Sequence, residues 1–265
     1  MERIQSALAK ARSARDRKLQ SGKPAAATDS GPWQELAEIR PDQTLLARNR
    51  IVALHPGRNA ASFDVMRTNL LRSLRANSWT RVAITSPTPG CGKSTVALNL
   101  AFSLARLTDK RVLLIELDLR RPSLLGMLGL SGGPQFAARL AEGQLDMAQV
   151  KRVGLNLALA LSENGVPSPA ELLSAPRTAD LIDALEARLR PDVILFDLSP
   201  MLVSDDALAF LDQVDCALMV AAAEETTVAE IEKCGKDLAM RTQVLGVVLN
   251  KCRYMEDEES RAYPD

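Results

Sequence analysis

Short, almost wholly apolar runs recur along this chain, and the stretches between them repeat apolar residues every few positions. A continuous apolar run is typical of a parallel strand covered on both faces, whereas the longer repeat is that of an amphipathic helix. Strands are predicted at 81–84, 111–118, 155–161, 193–197, 216–220 and 244–249. Helices are predicted at 60–76, 96–105, 176–189 and 227–240. This alternation predicts an α/β fold with a doubly wound, mostly parallel sheet and helices on both faces.

Composition divides the chain into four parts. Residues 1–20 carry six Lys or Arg against two acids and predict a basic helix, either simply solvated or docked on a partner or an anionic membrane surface. Gly, Pro, Ala and Ser dominate the next residues, and a flexible linker is expected over 21–49. The main domain is expected over 50–252 and opens with a candidate edge strand at 50–54. An acidic tail, 253–265, follows it.

Charge and cysteine content narrow the function classes. The 33 basic and 33 acidic residues cancel, so the overall charge gives no case for nucleic-acid binding. The four cysteines are widely spaced without a metal or redox pattern, which suits a reducing cytosol. The sequence predicts no signal peptide and no transmembrane segment of its own. We therefore expect any membrane connection to run through a partner or a surface helix.

The candidate chemistry begins at residues 85–95, Thr-Ser-Pro-Thr-Pro-Gly-Cys-Gly-Lys-Ser-Thr, between a predicted strand and a predicted helix. A phosphate-binding P-loop needs this context, because backbone N–H groups and the positive end of a helix then converge on one point. The full pattern has glycine where Pro87 stands, and a glycine turn opening an ordinary helix is the alternative. Lys93 would carry charge to the phosphates, and the Ser94 hydroxyl would bind Mg²⁺. The residues expected to hold the nucleotide are Pro89, Gly90, Cys91, Gly92, Lys93, Ser94 and Thr95.

Acidic side chains end two of the predicted strands, at the edge where a parallel sheet binds its ligands. Glu116 and Asp118 end one strand, and Asp197 ends another. Mg²⁺ prefers hydroxyl and carboxylate oxygens, so Ser94, Asp118 and Asp197 are the candidate metal ligands. For any one of these acids a helix cap or a turn is the alternative. Asn250, after the last strand, either reads the adenine base or caps a turn.

Three stretches in order, 85–95, 113–122 and 193–200, resemble the Walker A, A′ and B motifs of the bacterial tyrosine kinases. These are the P-loop autokinases of capsule and exopolysaccharide synthesis, and residues 169–173 and 245–250 also look like that family. The resemblance implies a P-loop NTPase fold and phosphate transfer from ATP, with Mg²⁺, to tyrosine, usually in trans within a ring. It also implies a cytoplasmic domain at the inner face of the bacterial membrane. A membrane-embedded polysaccharide co-polymerase adaptor would activate it to regulate polymerisation and export.

The same resemblance gives roles to individual residues. It assigns catalysis to Lys93, Glu116, Asp118 and Asp197, with Glu116 as the base that takes the tyrosine proton. The family's A′ motif starts with Asp at this position, so the carboxylate of Glu116 is moved by one methylene. Its chemistry as a base is retained, while its geometry differs.

The tail and the predicted helix at 60–76 bear on self-phosphorylation. Tyr254 and Tyr263 are the chain's only tyrosines, and the resemblance makes them the candidate phosphoacceptors. A disordered tail with incidental tyrosines is the alternative. The family's ring-forming motif falls on Ala61, Asp64 and Arg67, of which only Arg67 matches. Self-association is therefore expected to be weak.

Two other functions stay open on the sequence. Septum-positioning and partitioning ATPases of the same fold carry a signature lysine where this chain has Thr88, which argues against a switch ATPase of that kind. A regulatory scaffold that binds ATP without tyrosine kinase activity is the other alternative. Glu116 and the small number of tyrosines keep this alternative open.

Overall fold

The computed structural model describes residues 31–133 and 135–252, and this part of the chain folds around one eight-stranded sheet. In chain order the strands are β1 (Ala37–Glu38), β2 (Arg81–Thr85), β3 (Val112–Leu117), β4 (Val150–Val153), β5 (Leu157–Ala160), β6 (Val193–Leu198), β7 (Cys216–Ala222) and β8 (Gln243–Asn250). Across the sheet they lie in the order β1-β4-β5-β3-β6-β2-β7-β8. All neighbouring pairs are parallel except β4 and β5. The predicted mostly parallel, doubly wound sheet is confirmed.

Helices cover both faces of this sheet. They are α1 (Gly31–Gln34), α2 (Gln43–Arg48), α3 (Ala61–Asn77), α4 (Lys93–Ala105), α5 (Leu124–Met127), α6 (Phe136–Glu142), α7 (Pro169–Ser174), α8 (Pro176–Leu189) and α9 (Val228–Ala239). Helices α3, α4 and α5 pack against one face, and α6, α7, α8 and α9 pack against the other. Each face therefore has its own apolar core.

Burial on both faces explains why the sequences of the central strands are continuously apolar. Every residue of β3, β6 and β7 is buried. In β3, Val112 and Leu114 point into the core beneath α4, while Leu113 and Ile115 point into the core beneath α8. A strand buried on both faces has no polar side to alternate with.

The expected flexible linker over 21–49 is wrong for residues 31–49, which pack on the domain. Trp33 and Leu46 are buried, and the indole N–H of Trp33 donates a 2.6 Å hydrogen bond to the carbonyl of Leu189 at the end of α8. Apolar side chains interrupt the polar composition after residue 31, and they have enough surface to bury to order this segment.

The expected edge strand at 50–54 is also wrong, since these residues form turns. The side chain of Asn99 on α4 accepts from the backbone N–H of Val52 at 2.7 Å and of Ala53 at 3.0 Å. A side-chain acceptor thus replaces the neighbouring strand that an extended segment would need. The sheet edges are instead β8 and the two-residue β1.

Several predictions fall on parts of the chain outside this description. The basic helix at 1–20, the linker residues 21–30 and the acidic tail with Tyr254 and Tyr263 lie outside the described residues. Within the described ranges, the helices are too short or too polar to cross a membrane.

Candidate functional site

The loop between β2 and α4 has the backbone that a phosphate cradle requires. Gly90 and Gly92 adopt φ values of +84° and +89°, in the left-handed region that other residues avoid. A side chain at Gly92 would also clash with the amide nitrogen of Asn250. That amide donates a 2.9 Å hydrogen bond to the carbonyl of Cys91. Asn250 therefore braces the loop from the end of β8, and its expected contact with a nucleotide base stays a prediction.

A cleft of about 430 Å³ opens beside this loop, at the carboxyl ends of β2, β3 and β6. It gathers most of the predicted site: Pro89, Gly90, Gly92, Lys93, Ser94, Thr95 and Asp118. Cys91 is the P-loop residue that it leaves out, because this side chain is buried with its thiol 3.5 Å from the hydroxyls of both Thr88 and Thr226. Burial raises the pKa of this thiol, but those hydroxyl contacts outweigh it and the pKa is lowered.

Lys93 lies at the base of the cleft between two aspartates. Its ammonium group is 2.6 Å from Asp118 and 3.8 Å from Asp197, and it donates a 3.2 Å hydrogen bond to the hydroxyl of Ser94. Burial lowers the pKa of Lys93, but the charges of Asp197 and Asp118 outweigh it and the pKa is raised. Lys93 is therefore a fixed positive charge where the loop amides converge.

Asp197 is the residue that most clearly requires a ligand. It is wholly buried, and neither carboxylate oxygen has a hydrogen-bond partner among the described residues. Burial raises the pKa of Asp197. The charge of Lys93 and then the nearby Ser94 hydroxyl lower it, but the net pKa is raised. A buried carboxylate without hydrogen-bond partners is costly and uncommon. Together with Ser94 and Asp118 it forms the set of hard oxygen donors that Mg²⁺ prefers, so the residues fit that metal.

The carboxylate of Glu116 accepts hydrogen bonds from the backbone, and its expected role as a base beside the acceptor stays a prediction. It is wholly buried and, like Asp197, is not among the residues that line the cleft. One carboxylate oxygen accepts from the backbone N–H groups of Ser123 at 2.6 Å and Leu124 at 2.8 Å, and the other accepts from Ser162 at 3.2 Å. The extra methylene lets this carboxylate reach the start of α5, so it ties three chain segments together instead of facing the cleft.

The charge state of Glu116 reflects this burial. Loss of water raises its pKa to about 7, against the lowering effect of the N–H groups of Leu124 and Ser123. Its neighbour Asp197 raises the pKa further. The group can therefore change its charge near neutral pH without contact with the cleft.

Two residues of the expected ring motif, Asp64 and Arg67 on α3, contact other residues of the same chain. Arg67 donates to the carbonyl of Ser103 at 2.8 Å and lies 3.3 Å from Asp64, and Asp64 also pairs with Arg106. Internal contacts thus occupy both charged positions, and weak self-association stays a prediction.

The sequence interpretation missed the far wall of the cleft. This wall consists of Arg120, Arg121, Ser123, Ser199, Pro200, Val203 and Ser204. Arg120 and Arg121 directly follow the acid that ends β3, and Ser199 and Pro200 directly follow β6. These residues could have been predicted as part of the site, because they follow the carboxyl ends of β3 and β6. In the sheet, β6 lies next to both β3 and β2.

Comparisons with known proteins agree with this geometry. The ParA family model, described as NUBPL iron-transfer P-loop NTPase, matches residues 78–263. The tyrosine-protein kinase YwqD of Bacillus subtilis is 30% identical over 222 residues, which cover 82% of this chain and 92% of YwqD. The crystal structure of the VpsO kinase domain matches with a TM-score of 0.64 and 29% identity, over 73% of this chain and 96% of that one.

A longer relative sets the limit of these comparisons. EpsB of Ralstonia nicotianae, whose name also assigns it to the tyrosine-protein kinases, is 34% identical over 192 residues. These residues cover 71% of this chain but only 25% of EpsB. With YwqD matched over almost its full length and with the P-loop fold in place, the chain belongs to the bacterial tyrosine kinase family of P-loop NTPases.

Proposed function

We propose that this chain is a protein-tyrosine kinase that uses ATP and Mg²⁺ and phosphorylates the tyrosines of its own C-terminal tail. The main observation behind this proposal is the buried carboxylate of Asp197. It has no hydrogen-bond partner among the described residues and lies 3.8 Å from the ammonium group of Lys93. A kinase needs such a carboxylate to hold the metal that accompanies its nucleotide. The relatives named as tyrosine-protein kinases support this proposal.

Each residue at the base of the cleft would have a separate task. The backbone N–H groups of the loop around Gly90 and Gly92 would bind the phosphate oxygens, and Lys93 would neutralise charge as phosphate is transferred. Ser94, Asp118 and Asp197 would hold Mg²⁺. When bound, this ion would neutralise the phosphates and fix their orientation. The carboxylate of Asp118, which pairs with Lys93 at 2.6 Å, would then be shared between Lys93 and the metal.

Phosphate transfer to tyrosine forms one bond to phosphorus and breaks another. The phenolic oxygen of tyrosine forms a bond to the γ-phosphorus, the bond from that phosphorus to the β–γ bridging oxygen breaks, and ADP leaves. The phenolic proton passes to water in the open cleft. Glu116 would contribute by holding the loop that begins α5, since backbone N–H groups occupy both of its oxygens.

The acceptors and the partner follow from the family. Tyr254 and Tyr263 are the only acceptors that the chain offers. We infer that a membrane-embedded polysaccharide co-polymerase activates the kinase at the inner face of the bacterial membrane. The cycle of phosphorylation would then regulate the polymerisation and export of exopolysaccharide or capsule.

The proposal is tested by phosphotyrosine analysis of the purified chain with ATP and Mg²⁺, alone and with a cytoplasmic fragment of an adaptor. We expect phosphotyrosine on Tyr254 or Tyr263, and none in the Lys93→Met variant. Wild-type protein that binds ATP but stays free of phosphotyrosine with every adaptor would leave the regulatory scaffold as its function.

A further inference from the structure

Two arginines on the far wall of the cleft differ in what they contact. Arg120 is held in place, because its guanidinium donates to both oxygens of Asp206 at 2.6 and 3.0 Å. Asp206 is wholly buried and also accepts a 2.8 Å hydrogen bond from Ser204. The charge of Arg120 is thus already balanced within the chain.

Arg121 has no such partner. It is exposed and lines the cleft, and its side chain forms neither a hydrogen bond nor an ion pair with any residue between 31 and 252 that the structure describes. Only its backbone N–H is used, in a 3.3 Å bond to the carbonyl of Asp118. Among the described residues this cation is unpaired, and it lies three residues after Asp118, which is expected to hold the metal, so it is available to an anion on an incoming substrate.

The sequence of this chain contains a matching anion. Four consecutive acids, 256–259, follow Tyr254, and the first comes two residues after that tyrosine. An extended chain advances about 3.3 Å per residue. With the Tyr254 hydroxyl in the cleft, these carboxylates would pass the wall on which Arg121 lies. Tyr263 differs, since only one acid, Asp265, follows it.

We propose that Arg121 is a recognition residue for the acids that follow Tyr254 in the tail of a second copy of this chain. The kinase would thereby select tyrosines followed by carboxylates and would phosphorylate Tyr254 in preference to Tyr263. This inference rests on the proposed kinase function. The competing role for Arg121, contact with the phosphates of the nucleotide, is an outcome of the test below.

The test uses two full-length copies with divided roles. The donor copy carries Tyr254→Phe and Tyr263→Phe, so it keeps an intact cleft but has no acceptor. The acceptor copy carries Lys93→Met, so it keeps the tail but cannot transfer phosphate. The rate of phosphotyrosine formation on the acceptor is measured for two tails: the natural one, and one in which residues 256–259 are changed to their amides.

In the donor, Arg121→Glu should lower kcat/KM for the natural tail about tenfold and for the amide tail less than twofold, as expected for a charge pair at the edge of a site. Changing residues 256–259 to lysine in the acceptor should restore most of the rate of the Arg121→Glu donor. The matched control is Arg241→Glu, because Arg241 lies just before the amino end of β8, away from the cleft at the carboxyl ends of the strands, and among the described residues its side chain pairs with Asp212 in an exposed bridge. It should leave both rates unchanged.

The outcomes separate the two proposals. Equal losses on both tails, or a raised KM for ATP in the Arg121→Glu donor, would overturn the recognition role and indicate contact with the nucleotide. Equal phosphorylation of Tyr254 and Tyr263 on the natural tail would contradict the preference. Absence of phosphotyrosine on every acceptor, with ATP still bound by the unmodified donor, would instead refute the kinase function on which the inference rests.

Discussion

The ends of β3 and β6 each carry a buried carboxylate, and the two differ in their hydrogen bonding. Glu116 and Asp197 are register partners on neighbouring strands, and both side chains are wholly buried. Glu116 accepts hydrogen bonds from three backbone N–H groups. Asp197 accepts none from the described residues, and its nearest cation is Lys93 at 3.8 Å. Equal burial thus hides a complete difference in hydrogen bonding.

This difference separates a structural acid from a binding acid. A buried carboxylate whose oxygens are satisfied contributes to the fold and has little left to offer a ligand. One whose oxygens are unsatisfied costs stability, and a protein keeps it only where something else binds there. We expect substitutions at the two positions to have opposite effects on stability and activity.

The largest effect should come from Lys93→Met, which removes the cation beneath both aspartates. We expect ATP affinity to fall by more than about 100-fold and phosphate transfer to become undetectable, since the charge that meets the phosphates is lost. Nucleotide binding is measured by calorimetry, with circular dichroism as the check on folding. Lys93→Arg should not restore binding, because the site uses a compact point charge. Full ATP affinity in a folded Lys93→Met variant would remove the P-loop assignment.

Asp197→Asn should come next. Loss of a metal-holding carboxylate should lower the rate of phosphate transfer on the order of 100-fold. The substitution also removes a buried charge whose oxygens accept no hydrogen bond from the described residues but which pairs with Lys93 at 3.8 Å. Because relief of the burial cost and loss of that ion pair oppose each other, the free energy of unfolding in metal-free buffer should change by less than about 1 kcal/mol. Chemical denaturation with and without Mg²⁺ measures the second effect. A large loss of stability without Mg²⁺ would mean that Asp197 has a structural partner after all.

Glu116→Ala should reverse that pattern. Three backbone N–H groups lose their acceptor, so we expect the free energy of unfolding to fall by about 3 kcal/mol. The transfer rate per folded molecule should change less than about tenfold, because backbone N–H groups occupy both oxygens of Glu116. Single-turnover kinetics at a temperature where both proteins are folded makes the comparison. A loss of transfer as large as that of Asp197→Asn would restore the role of base that the family resemblance assigns to Glu116.

The sequence predicted most of the sheet because its signal is local. Continuous apolar runs and strand-end acids mark β2, β3, β6 and β7, and Gly92 and Lys93 mark the loop. The segment 31–49 escaped prediction because its order depends on distant contacts, such as that between Trp33 and Leu189. No composition rule contains such a contact.

The site was predicted by residue type but not by orientation. Strand alternation places Glu116 and Asp118 on one side of β3, and it cannot tell which of them turns to the cleft. That choice depends on N–H groups at Ser123 and Ser162, which are distant in sequence from one another and are brought together by the fold. The state of Arg121 was equally hidden, because only the structure assigns Asp206 to Arg120.

The smallest predicted effect is a pH dependence of the free energy of unfolding that is due to Glu116 and not to Asp197, its register partner on β6. Burial raises the pKa of Glu116 from 4.5 to about 7 in the folded chain. Between these two values the folded state holds a proton that the unfolded state has released, so this group's contribution to stability is present at low pH and is lost as pH rises. From about pH 5.5 to about pH 7.5 the loss amounts to about 2 kcal/mol.

Denaturation midpoints of the wild type and of Glu116→Gln across this range, in metal-free buffer, measure that contribution. The amide cannot ionise, so the variant should lack this part of the decline and gain stability relative to the wild type as pH rises. Asp197→Asn is the control that keeps Glu116 intact, and it should retain a decline near neutral pH. The same slope in the wild type and in Glu116→Gln would mean that Glu116 stays ionised in the fold, with its three N–H contacts outweighing its burial.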